Sequence, residues 1–141
     1  SLDLLQALNT ALQEQFDNSI QDFGHKNKGW YISEKEDKFL VRNIDGAVAT
    51  FSLKEFPGCC GILVSYYSEV EEKYRKLGLG KLLVQVRLSA ARHMKYGAMV
   101  ASIISNNVIE KHLLREAGWL KVGEFRNPKT GNIVETYQVN L

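Results

Sequence analysis

The chain has few cysteines, few histidines, little net charge and no long apolar run, and each shortage closes off a class of function. Its 2 cysteines, Cys59 and Cys60, are adjacent. Neighbouring cysteines form a strained bridge at best, so no disulfide framework is available. They read as two small thiols, buried or at a strand edge, in a reducing, cytoplasmic setting. No apolar run approaches the roughly 18 residues of a membrane span. The N-terminal segment is an amphipathic pattern containing acids rather than a signal peptide. None of the 3 histidines, His25, His93 and His112, has a cysteine or second histidine at ligand spacing, so no metal site is expected. A net charge of +2 gives no general affinity for polyanions, and any anion site must be local. The basic run Lys73, Arg75, Lys76 and Lys81 lacks the interleaved aromatics of a single-strand platform, so nucleic acid is not expected as a partner.

What is present is a soluble-protein composition, 45% apolar and 24% charged over 141 residues. That length suits one domain, residues 1–141. Leu5, Leu8, Leu12, Phe16, Ile20 and Phe23 recur at three- and four-residue steps, which predicts a leading helical region, in one piece or two. Short strand-like runs follow at residues 30–33, at "KFLVRNI" and at "AVATFSLKEF", the last two joined by Asp45-Gly46 as a hairpin. "FPGCCG" reads as a loop and "ILVSYYSEV" as a strand ending near Val70. Leu79, Leu82, Leu83, Val86, Ala90 and Met94 keep helical spacing over about 18 residues, and Gly97 is the expected stop. "AMVASII" reads as a strand buried on both faces. Strand, helix and strand make a βαβ unit, so these two strands should be parallel. A further helix from about Asn107 to Ala117 stops at Gly118, and "WLKVGEF" and "NIVETYQVN" close the chain as strands. The fold class is therefore α/β (α+β), a mixed and mostly antiparallel sheet flanked by helices.

The stretch "YRKLGLGK" lies where a strand ends and a helix begins. The first N–H groups of a helix lack internal partners and carry partial positive charge. Glycines allow that backbone to turn tightly and approach a ligand without a Cβ in the way. Arg75, Lys76 and Lys81 add charge, and together these features suit a pyrophosphate. The spacing excludes a P-loop, which needs four residues between its glycines and Ser or Thr after the Lys. It also excludes a dinucleotide fingerprint, whose third glycine would fall at Leu83.

Arg75, Gly78 and Gly80 match the Arg/Gln-x-x-Gly-x-Gly/Ala pattern of acyl-CoA-dependent N-acetyltransferases, and the chain resembles this GNAT superfamily. Val70 and Tyr74-Arg75 match the residues that precede the pattern, and Asn107 and Gly118-Trp119 match a downstream Asn and Gly-Phe. The resemblance is specific over residues 62–125 and only topological before Trp30. It implies that acetyl-CoA is the cosubstrate, with no metal. Its pyrophosphate would sit on the backbone of Arg75, Lys76, Leu77, Gly78, Leu79 and Gly80, with Lys81 opening the helix. Its pantetheine arm would pair with the strand end at Ser68 to Val70, where a backbone N–H near Val70 would face the thioester oxygen. The thioester would enter a gap between the splayed parallel strands. Asn107, by position, resembles the Asn that helps hold the arm, although Asn also caps helices.

The resemblance implies transfer of an acetyl group to a small-molecule or peptide amine by direct attack, and leaves a homodimer open. Two departures bear on catalysis. Leu114 stands where many relatives have the Tyr that serves as general acid, and "GILVSYY" lacks the mid-strand Glu that serves as base. The polar residues near the gap are Ser65, Tyr66, Tyr67, Glu69, Ser102, Ser105 and Tyr137, of which Glu69 and Tyr67 are the candidate catalytic groups. The alternatives are an acyl-CoA-binding module without turnover, transfer of another acyl chain, and an interaction domain with a decayed cofactor site, against which the intact Arg75, Gly78 and Gly80 argue.

Overall fold

Twelve elements follow one another along the chain in a computed structural model that describes residues 2–58 and 60–141. Helix α1 (Leu2–Asp17) buries Leu8, Leu12 and Phe16 of the apolar stripe read from the sequence, together with Leu4, while Leu5 is only partly buried. The stripe ends there, because Ile20 is fully exposed. A separate short helix, α2 (His25–Lys28), sits between the left-handed residues Gly24 and Gly29. The His25 ring stacks on Phe16 at 4.5 Å. Phe23 and Trp30 complete an aromatic cluster around Phe16. Among the described residues no helix is long and apolar enough to cross a membrane.

Strands β1 (Tyr31–Lys35), β2 (Lys38–Asn43), β3 (Gly46–Glu55) and β4 (Ile62–Val70) form an antiparallel meander. A short helix α3 (Glu72–Arg75) and the long helix α4 (Leu79–His93) then lead to β5 (Ala98–Ile104). Helix α5 (Val108–Glu116) and strands β6 (Leu120–Arg126) and β7 (Ile133–Asn140) finish the chain. The seven strands form one sheet in the order β1-β2-β3-β4-β5-β7-β6. The predicted parallel pair is β4 and β5, and every other pairing is antiparallel. The core lies between the sheet and the packed helices α1 and α4.

Several local expectations are corrected. Helix α4 runs for 15 residues and starts at Leu79, so Lys81 is its third residue rather than its first. Its stop is Lys95, not Gly97. Lys95 adopts a left-handed φ of 66°, and the Tyr96 N–H donates to the Ala91 carbonyl, the closing bond of a Schellman turn. Cys60 is exposed in the β3–β4 loop, not buried, and Cys59 lies outside the described residues. Strand β5 is not buried on both faces along its length. Ser102 and Ile104 are exposed, because β4 has already diverged from β5 at that level.

Candidate active site

The parallel pairing of β4 and β5 is short. It joins Ile62 to Ala98, Leu63 to Met99 and Val64 to Val100, and then stops. Beyond it, residues 65–70 of β4 keep their bonds to β3 on one side and have no strand on the other. A bulge interrupts this free edge. Ser52 faces Tyr66 and Thr50 faces Glu69, so the single Phe51 lies opposite both Tyr67 and Ser68. Tyr67 carries a φ of 53°, an uncommon conformation for a side chain of its size. The bulge turns the β4 edge away from β5 and opens a cavity of about 530 Å³. Ser65, Tyr66, Tyr67 and Ser102 line it, with Leu114 of α5 on its wall.

A second cavity, of about 550 Å³, opens in front of the α4 N-terminus. The first backbone bond of α4 runs from the Leu82 N–H to the Gly78 carbonyl at 3.2 Å. The amides of Leu79, Gly80 and Lys81 therefore have no carbonyl of their own helix to donate to. Gly78 holds the turn with a φ of 83°, and a Cβ built on it would meet nothing within 4 Å. Gly80 differs, since a Cβ there would lie 3.1 Å from Leu113 Cδ1, which makes it the place where α4 and α5 pack closely. The loop before α4 is anchored by Tyr74. Its hydroxyl accepts from Asn43 Nδ2 at 3.1 Å, and its ring meets Trp30 edge-on at 5.4 Å. Arg75 reaches back, its Nε donating to the Val70 carbonyl at 2.6 Å, so this side chain braces the strand end as well as charging the cavity.

Ser68, Asn107 and Glu110 border both cavities, which therefore meet between the end of β4 and the start of α5. Asn107 caps α5, its Oδ1 accepting from the Glu110 N–H at 3.2 Å. Behind Ser68 lies Arg87 of α4, 3% exposed, its Nη1 donating to Ser68 Oγ at 3.1 Å. Its guanidinium lies 5.0 Å from the centre of the Phe51 ring. Burial lowers the Arg87 pKa, partly offset by Glu110, but a guanidinium stays charged. Burial also pushes the Glu110 carboxyl above its ordinary range, with Arg87 opposing.

The sequence profile described as "Acetyltransferase (GNAT) family" matches residues 5–119. The chain belongs to the GNAT acetyltransferase family. Solved structures share this fold at low identity. A GNAT-family acetyltransferase from Streptococcus pneumoniae matches with a TM-score of 0.64 at 14% identity, over 74% of this chain and 65% of that one. The ribosomal-protein-S18-alanine N-acetyltransferase of Escherichia coli matches with 0.64 at 13%, over 76% and 71%. A protein described as a streptothricin acetyltransferase of Bacillus anthracis, in complex with acetyl coenzyme A, matches with 0.64 at 16%, over 74% and 62%. The chain thus spans slightly under two thirds of the length of the pneumococcal and anthracis proteins.

In this GNAT fold the predicted site residues separate into groups. Val70, Arg75, Lys76, Gly78, Gly80 and Lys81 border the loop cavity, and Ser68 and Asn107 border both. Leu79 is fully buried under the loop, so only its backbone is available. Leu77 is exposed. The two candidate catalytic groups are not together. Tyr67 faces the gap, exposed, against the edge of Tyr66 at 5.0 Å, whereas Glu69 lies by the loop, 3.9 Å from Arg75 Nη2. Tyr137 is fully buried away from the gap, donating to Glu135 Oε1 at 2.9 Å. Leu114 is 2% exposed and packs into the core while closing the gap cavity.

Sequence reasoning missed Arg87 and Glu110, although each left a signal. Arg87 falls four residues after Leu83, on the stripe that α4 buries. Glu110 falls three residues after Asn107 and four before Leu114, on one face of α5.

Proposed function

We propose that this chain, as a single domain, is an N-acetyltransferase that moves the acetyl group of acetyl-CoA to a primary amine by direct attack. The observation that carries this reading is the continuity of the free β4 edge with the α4 N-terminus through two cavities that meet at Ser68, Asn107 and Glu110. Acetyl-CoA supplies an activated thioester carbonyl. The α4 amides, the Gly78 turn, Lys76 and Lys81 suit its pyrophosphate, and the space in front of Gly78 leaves room for it. The edge of β4 at Ser68 to Val70 that faces away from β3 suits the amides of the arm, much as an added strand would, with the Val70 carbonyl shared with Arg75 Nε. The bulge at Tyr67 interrupts the β4 ladder beside the gap, where an unpaired backbone N–H would suit negative charge developing on an acyl oxygen. Tyr67 and Glu69 remain the candidate proton-handling groups. An amine with a pKa of about 10.4 must lose a proton before it attacks.

The acceptor is a small-molecule or peptide amine, the two classes suggested by relatives named for streptothricin and for a ribosomal-protein alanine. One observation favours a second reading, an acyl-CoA-binding module without turnover: Leu114 is buried at the position of the family's acid. Thermal shift with acetyl-CoA, followed by a thiol-release screen against amino acids, polyamines, aminoglycosides, streptothricin and peptide N-termini, separates the readings. Ligand at 100-fold above Kd should add about 2.7 kcal/mol of stability. Absence of any shift at millimolar ligand would refute both readings, and a shift without turnover would select the binding module.

A further inference from the structure

Glu110 is held where the two cavities join, and Arg87 lies behind Ser68 on the opposite wall. Its setting differs from that of the other acids around the loop cavity. Glu69 is exposed and pairs loosely with Arg75, and Glu72 is exposed. Glu110 is only partly exposed and, among the described residues, its side chain has no hydrogen bond. Arg87 is short of partners too, with Ser68 Oγ as its one hydrogen-bond acceptor among the described residues. Other charged groups on nearby elements are occupied or remote. Lys111, the next residue on α5, is taken by Glu135 at 2.9 Å, and Lys76 and Lys81 stand exposed at the loop. Arg87 is the charge that opposes the effect of burial on Glu110.

A ligand chain passing from the loop to the gap must cover this carboxyl. Burying a lone carboxylate against amide and methylene groups is costly, whereas a protonated carboxyl can donate a hydrogen bond to an amide carbonyl. We propose that Glu110 is a coenzyme-arm residue that binds in its acid form, its O–H donating to an amide carbonyl of the arm, so that coenzyme binding takes up a proton. This rests on the coenzyme reading above. The sign follows from linkage. Cover by the arm disfavours the charged form further, so affinity is greatest below the pKa of Glu110 in the free protein. It then falls as the pH rises and levels off above the pKa in the complex. Arg87 favours the carboxylate before and after binding, so it sets where that window lies and holds it at lower pH.

The test is titration calorimetry with dephospho-CoA, which keeps the arm and pyrophosphate and lacks the 3′-phosphate whose own proton would confuse the count. Measurements from about pH 5.5 to about pH 8, in two buffers of different ionisation heat, give the protons exchanged. Wild type should take up a fraction of a proton, with Kd rising by up to about tenfold per pH unit inside the window. Glu110→Gln, which keeps the shape and removes the titration, should show no uptake and a flat affinity, and at about pH 8 should bind at least as tightly as wild type. Arg87→Met, if folded, should move the wild-type window to higher pH. Proton release on binding, or equal uptake by wild type and Glu110→Gln, would overturn this inference while leaving the coenzyme site intact. No binding heat from either protein would sink the coenzyme reading and this inference with it.

Discussion

The two glycines of the loop should respond oppositely to the same substitution. At Gly78 the φ of 83° makes any L-residue unfavourable, by about 1–2 kcal/mol for a left-handed conformation. Stiffening the unfolded chain returns about 0.4–1 kcal/mol. Gly78→Ala should therefore lose up to about 1.6 kcal/mol, a Tm drop of at most a few degrees in a chain of this size. The new methyl meets no protein atom within 4 Å, so the whole steric effect falls on a ligand at the α4 N-terminus. Gly80 is already helical, and Ala gains about 1 kcal/mol of helix propensity there. Against that gain, its Cβ would press on Leu113 Cδ1 at 3.1 Å, the end of a side chain that can yield by a few tenths of an ångström. Gly80→Ala should thus sit within about 1 kcal/mol of wild type. Thermal melts with and without acetyl-CoA read both quantities. Gly78→Ala should melt lower and lose most of its ligand shift, and Gly80→Ala should keep its melt and most of its shift. A Gly78→Ala protein with an undiminished ligand shift would show that the pyrophosphate does not approach this turn.

Two further outcomes follow from the site and its supports. Leu114→Tyr should cost about 1–3 kcal/mol through overpacking at a buried position, but if proton delivery limits turnover it should raise kcat at least tenfold in thiol-release assays. An unchanged or lower kcat with intact coenzyme affinity would mean that another group already serves. Glu135 is held below the usual carboxylate range by hydrogen bonds from Lys111 and Tyr137, so its contribution is present above the unfolded value of 4.5 and lost as the pH falls through the lower folded value. Glu135→Gln should therefore lower the Tm at neutral pH, with the difference from wild type closing in acid; a pH-independent difference would refute the assignment.

Much of the fold could be read in advance because the informative residues act locally. Lys38–Asn43 and Gly46–Glu55 pair as the hairpin signal requires, and Asn107 and Gly118 bound α5 through cap chemistry that needs no tertiary partner. The βαβ unit was legible because helix length and crossover handedness leave one arrangement. What escaped depends on contacts across the fold. The stop at Lys95 is one case, since nothing in a lysine's type announces a left-handed residue. The exposure of Ser102 and Ile104 is another, because the length of the β4–β5 pairing is set by a bulge at Tyr67 that no glycine marks. Arg87 and Glu110 were hidden for a related reason, since each lies on a correctly predicted helix and gains its meaning from the other element.

Helix α5 carries Asn107, Glu110 and Leu114, yet among its described residues only Leu114 is buried. Leu113, packed on Gly80 of α4, and the partly buried Ala117 add apolar contact. A polar attachment comes from β7. Lys111 Nζ lies 2.9 Å from Glu135 Oε2, Tyr137 donates to Glu135 Oε1 at 2.9 Å, and Arg115 Nη2 donates to the Tyr137 hydroxyl at 3.3 Å. Lys111 and Arg115 are four residues apart, so both face β7 from successive turns. Glu110 and Leu114, each one residue earlier, are turned toward the gap. A fixed face on β7 therefore helps set the rotation of α5 about its own axis, and that rotation decides which side chains face the two cavities. A change at Glu135 or Tyr137 should therefore be felt at Glu110 without touching it.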